Sequence, residues 1–180
     1  MFIPEKILQE IVYLLSLNNN RMNVLKLMKE LYLADRASIA ERDSSISGDN
    51  FVSLPHGPIL STTLNTLDSI PYNNWSEYLD KSVAKFFYDV QLKKMTSFER
   101  LSKKDMQYLR EVSEKYKDSD EVGFELEKYT HTLPEWVDPH GSSRKIRFSS
   151  IMKALGKTDE EIADAKSEYD YLEELCSLEG

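Results

Sequence analysis

The sequence predicts a mainly α, compact single-domain helical bundle, with a short β-hairpin as a minor component. Apolar residues recur at helical spacing along most of its 180 residues, and capping residues mark where several helices begin. Strand-like alternation is confined to one aromatic stretch, Phe86 to Met95. A chain of this length fits one domain and buries roughly 70% of its unfolded surface.

The first predicted helix runs from about Pro4 to Leu17. Ile7, Leu8, Ile11, Val12, Leu14 and Leu15 form one apolar face, with proline tolerated in the first turn. Asn18-Asn19-Asn20 ends it, since asparagine favours turns. A second helix, about Asn23 to Glu41, carries Val24, Leu27, Met28 and Leu31 on one face, widened by Leu25 and Tyr32, and is central to the core. One turn further along that face stands Asp35, a carboxylate that burial would force to find donors.

Residues Ser44 to Gly57 are rich in turn formers and are expected to be irregular or briefly extended. Pro58 is expected to open a third helix through about Leu67, ending before Pro71. From Trp75 to Val90 the apolar pattern fits a helix, but the alternation from Phe86 to Met95 favours a strand pair. Ser102 with Asp105 caps a helix to about Lys117, and another covers about Asp120 to His131. A short helix from Ile146 to Leu155 is closed by Gly156. Thr158 with Glu161 is a capping box for a last helix to about Leu175. With no repeat or linker to split the chain, residues 1–165 are expected to form the domain and 166–180 its acidic C-terminal helix end.

The composition, 41% hydrophobic and 30% charged, is that of a folded chain. No window approaches the 18 or so apolar residues of a membrane span, and MFIPEKILQEIVYLL lacks the basic start of a signal peptide. A cytoplasmic location and no membrane partner are expected. The single cysteine, Cys176, cannot form an internal disulfide. Net charge is −8, and nine acids against two lysines put −7 of it between Lys157 and Gly180. An acidic chain repels phosphate backbones, which counts against DNA as the main partner despite the basic run Arg144 to Arg147.

His56, His131, His140 and Cys176 show no metal-ligand spacing. The loop from Asp43 resembles a calcium loop only until its twelfth position, where Leu54 replaces the required glutamate. No nucleotide-binding, nucleophile-elbow or kinase signature occurs. No metal, no cofactor and no enzymatic activity are expected. An acid–base pair of Asp35 with His131 is better read as structural polarity locking two helices. His56-Gly57-Pro58 punctuates the chain as a turn, and its functional reading is an exposed loop that contacts a partner. Trp136, after Pro134, is either a lid on the core or an interface anchor. Tyr32 and Arg36 fall toward the edge of the second helix. Together Tyr32, Arg36, His56, Gly57, Pro58 and Trp136 are the candidate partner-binding residues.

Four segments, in order and spacing, resemble the Panacea domain, the SocA-like antitoxin family of bacteria and their phages. They are Leu25-Lys26-Leu27-Met28-Lys29-Glu30-Leu31-Tyr32-Leu33-Ala34-Asp35-Arg36; Ile46 through Gly57-Pro58-Ile59; Leu101-Ser102; and Leu126-Glu127-Lys128-Tyr129-Thr130-His131 followed by Pro134 and Trp136. The resemblance spans about residues 5 to 165, including Ile151 to Lys157. It departs at Glu30, where the family carries leucine, and at Ile59, where it carries valine. Residues Lys81 to Arg100 and the acidic end after Ala165 lie outside it. The resemblance implies an antitoxin that silences a cognate toxin protein by direct contact, in some members by delivering it to a protease. The alternative is a DNA-binding regulator of its own operon. A protease and a second copy of the chain are the further partners considered.

Overall fold

The computed structural model describes residues 2–167. The expected helical bundle is corrected: the fold is an α+β mixture in which two three-stranded antiparallel sheets flank the helices. Helix α1 (Pro4–Leu17) has the expected bounds. Asn19 and Asn20 then adopt left-handed backbone conformations, turning the chain into strand β1 (Arg21–Asn23). Three residues carry no legible period, and β1 is a strand because it pairs with β5 far along the chain, Met22 opposite Val90.

Helix α2 (Val24–Arg42) starts where the Asn23 side chain accepts the Leu25 amide, and ends at Asp43 in a left-handed conformation. Every residue from Val24 to Asp35 is buried, polar ones included. An amphipathic helix buries a stripe, but α2 is wrapped by α1, α4, α5, α6 and strand β3.

The turn-rich region holds a hairpin, β2 (Phe51–Leu54) and β3 (Gly57–Leu60), joined at Pro55-His56. Pro58 therefore sits in a strand opposite Ser53, not at the start of a helix as expected. Helix α3 (Ser61–Asp68) begins three residues later, and Asp49 caps it by accepting from the Thr62 and Thr63 amides. After a 3₁₀ turn, β4 (Leu79–Val83) and β5 (Tyr88–Leu92) form the second hairpin. The strand reading of this region is correct in kind, though the pair begins earlier than expected.

Ser102 and Asp105 make the expected capping box for α4 (Lys103–Lys115). Helix α5 (Phe124–Thr130) is shorter than expected, because Asp120 accepts three amides and holds the preceding residues in a turn. Strand β6 (Arg144–Lys145) joins the edge of β2, and α6 (Phe148–Ala154) follows. Thr158 and Glu161 form their reciprocal cap, and residues 159–167 are helical. The rest of the expected last helix, and most of the acidic end at 166–180, lie outside the described residues. The sheets have orders β1-β5-β4 and β3-β2-β6, and one continuous apolar core joins them to the helices. Among the described residues no helix is long and apolar enough to cross a membrane.

Candidate partner-binding surface

The β2–β3 turn is held from beneath by a buried lysine. Lys29, fully buried on α2, donates from Nζ to the Pro58 carbonyl at 2.9 Å. Burial lowers its pKa to about 7, opposed by the nearby Glu127 carboxylate. Gly57 has φ of 93°, and a Cβ there would lie 2.8 Å from both Lys29 Nζ and Thr130 Oγ1. Glycine is thus required by conformation and by space.

Helix α5 supplies the flank of the turn. His56 is exposed and its Nδ1 lies 3.1 Å from Glu127 Oε1. Two residues past Tyr129, the His131 ring stacks flat on Trp136, with centroids 4.0 Å apart. Burial lowers the His131 pKa, and its Nε2 has no hydrogen-bond partner among the described residues. Trp136 donates from Nε1 to the Leu54 carbonyl at 3.3 Å, so the His131–Trp136 stack is tied to the end of β2.

A second tie comes from Glu135, whose side chain is inaccessible to solvent. It accepts the Tyr32 hydroxyl at 2.9 Å and Arg36 Nε at 2.6 Å. Burial and this carboxylate push the Tyr32 pKa well above its ordinary value. Two consecutive residues, Glu135 and Trp136, therefore fasten one segment to α2 and to the hairpin. Of the six candidate partner residues, His56 is exposed and Arg36 and Trp136 are half-buried, whereas Tyr32, Gly57 and Pro58 are buried and act as supports.

Asp35 and His131 do not form the expected locking pair. Asp35 accepts the Ile46 amide at 2.7 Å, the Ser47 amide at 2.9 Å and the Ser47 hydroxyl. It therefore fixes the loop after α2, while His131 belongs to the turn. Burial raises the Asp35 pKa to about 6 against these hydrogen bonds.

Lys29 and Glu127 lie in segments that carry the family resemblance but, like Glu135, have no role legible in the sequence, since a lone charge in a helix or loop defaults to solvent. Phe86 and Phe87 were noticed only as strand residues. Both lie at the β4–β5 tip, 44% exposed, and the Phe87 ring meets the His56 ring edge-on at 5.1 Å. Phe87 has a φ of 57°, an uncommon conformation for a bulky side chain. The two hairpin tips thus share one rim.

Among the described residues no group of three or more His, Cys, Asp or Glu side chains is disposed to hold a metal. The sequence matches the family described as antitoxin SocA-like, Panacea domain, over residues 27–137. No curated protein and no solved structure gives a match. The matched span starts within α2, ends just after Trp136, and contains every residue of the two ties. The chain belongs to the SocA-like antitoxin family and carries its Panacea domain.

Proposed function

We propose that this protein is an antitoxin that neutralises a cognate toxin by direct contact through the rim formed by His56, Arg36 and Trp136 and extended by Phe86 and Phe87. The supporting observation is that the family match spans the buried scaffold beneath this rim, from Lys29 to Trp136. Tryptophan and arginine are over-represented at binding hot spots, and a rim already fixed by Lys29 and Glu135 loses little freedom when a partner docks. The rival surface is the acidic C-terminal end, which would suit a basic toxin and make binding salt-sensitive.

The test is a growth assay in which a toxic product of a neighbouring gene is co-expressed with this chain. Arg36→Ala with Trp136→Ala is expected to lose protection while the protein still melts cooperatively. Protection retained by the folded double variant, and lost on reversing the charges of Glu173 and Glu174, would move the interface to the acidic end. Failure of the wild-type chain to protect against any neighbouring product would remove the antitoxin reading.

A second reading, a regulator that binds its operon, draws on exposed Arg144 and Lys145 on the edge strand β6 and exposed Arg147 beside them. A gel shift at two salt concentrations tests it, because phosphate contacts weaken steeply with salt. No shift at low salt rejects it.

A further inference from the structure

The tip of the β4–β5 hairpin carries apolar side chains that the described residues leave uncovered. Val83 is 95% exposed, and Phe86 and Phe87 are each 44% exposed. A single exposed apolar residue needs no explanation, but three at one turn form a patch, and such patches mark contact surfaces.

The turn is held from behind. Asn23, the buried last residue of β1, donates from Nδ2 to the Phe86 carbonyl at 2.9 Å and to Asp89 Oδ1 at 3.0 Å. Its Oδ1 accepts the Leu25 amide, so one side chain caps α2 and fixes the tip. The Phe86 ring meets the Phe124 ring edge-on at 5.4 Å, as Phe87 meets His56. Phe87 keeps its φ of 57°, a conformation that glycine would adopt without strain. Strain that the surroundings hold in place is a pointer to function, and a tip already ordered loses little freedom on docking.

Charge narrows the partner. From Val83 to Tyr88 the sole charged residue is Lys85, in a chain whose net charge is −8. Lys85 Nζ lies over the Phe86 ring, 5.4 Å from its centre, and has no carboxylate partner among the described residues. The neighbouring cations are engaged: Arg21 pairs with Asp89, and Lys81 donates to the Asp68 carbonyl. Apolar side chains at a turn are buried by a concave apolar surface, and a free ammonium beside them is matched by a carboxylate at its edge.

We infer that the β4–β5 tip is a plug: Val83, Phe86 and Phe87 enter an apolar cleft on the partner protein, and Lys85 meets a carboxylate on the lip of that cleft. The inference rests on the antitoxin reading and adds what a toxin must present to be recognised.

The probe is the toxic product of the neighbouring gene, purified and titrated into the full chain by calorimetry. Phe86→Ala with Phe87→Gly is expected to weaken binding by about 30-fold or more while the protein still melts cooperatively. Val83→Asp changes the most exposed of the three side chains and is expected to weaken binding without lowering the melting temperature. Phe86→Leu is expected to bind nearly as wild type, because an apolar cleft accepts a second apolar shape. Lys85→Glu is expected to cost about tenfold at low salt and less at high salt. Wild-type affinity in the folded double variant and in Val83→Asp overturns the plug and leaves the antitoxin reading standing. Failure of the wild-type chain to bind any neighbouring product removes that reading, and the inference with it. A wild-type dimer in sedimentation that the double variant abolishes would give the tip to a second copy, and flotation with anionic phospholipid vesicles would give it to a membrane surface. Either result overturns the inference.

Discussion

The two sheets are built from similar hairpins but are held in different ways. The β2–β3 hairpin is fastened from inside by Lys29, by the Trp136 indole and by α5 against Gly57. The β4–β5 hairpin relies on its own ladder and on β1, with a single buried side chain, Asn23, donating to the Phe86 carbonyl near the tip and the partly exposed Arg21–Asp89 ion pair at the edge. Its tip bears Phe86 and Phe87 with the strain of a left-handed phenylalanine. A hairpin tied by buried polar groups tolerates little change, because each broken tie leaves a desolvated donor or acceptor. A hairpin held mainly by its ladder and its buried strand residues, with one side-chain tie to a tip carbonyl, leaves the tip side chains themselves freer to vary, which suits the proposed partner-binding rim.

The largest expected break in this contrast is Gly57→Ala. It combines left-handed strain with two contacts at 2.8 Å, and is expected to cost about 3 kcal/mol, lowering the melting temperature by roughly 6–12 °C. A melting temperature within error of wild type would show that the turn is not constrained from beneath.

Lys29→Met sharpens the same point through pH. The folded pKa of Lys29 is depressed to about 7 from 10.5. Its contribution is therefore present above the unfolded pKa and is lost as pH falls from about 10.5 through 7. The methionine variant lacks this titration, so its stability relative to wild type should improve by about 3.5 kcal/mol between pH 10 and pH 7 in urea titrations. A constant difference across that range would mean that the lysine is not desolvated.

Glu135→Ala leaves the buried Tyr32 hydroxyl and half-buried Arg36 without their acceptor, and is expected to cost about 2 kcal/mol by denaturant unfolding. Tyr32→Phe made in the alanine background should then add little, because the two groups share one interaction. The smallest effect belongs to the other hairpin: Phe87→Gly relieves strain while losing the ring contact with His56, and should change stability by less than about 1 kcal/mol. If the rim is the toxin-binding surface, the same variant should weaken neutralisation in the growth assay despite its unchanged melting.

Long helices and their ends were legible because their signals are local: the period of α1, the Ser102–Asp105 box and the Gly156 stop each lie within a few residues. The β4–β5 pair was half-legible through its aromatic alternation. Pro58 misled, because proline at a helix start and proline in a strand look alike until the partner strand is known. The candidate site was legible as a set of residue types, His56, Arg36 and Trp136, but not in how its parts are held together. Glu135 and Lys29, which hold it together, look like ordinary surface charges.

By itself the sequence determined helices α1, α2 and α4, the Ser102–Asp105 and Thr158–Glu161 caps and the family, since these reside in short-range pattern and motif order. Only the tertiary structure decided that β1 and β6, three and two residues long, are strands, that α2 is enclosed on every side from Val24 to Asp35, and that Asp35 serves the Ile46–Ser47 loop and not His131. Those outcomes depend on partners brought together from distant parts of the chain. A strand of two residues has no period of its own, and a buried charge is tolerated only where distant groups supply its hydrogen bonds.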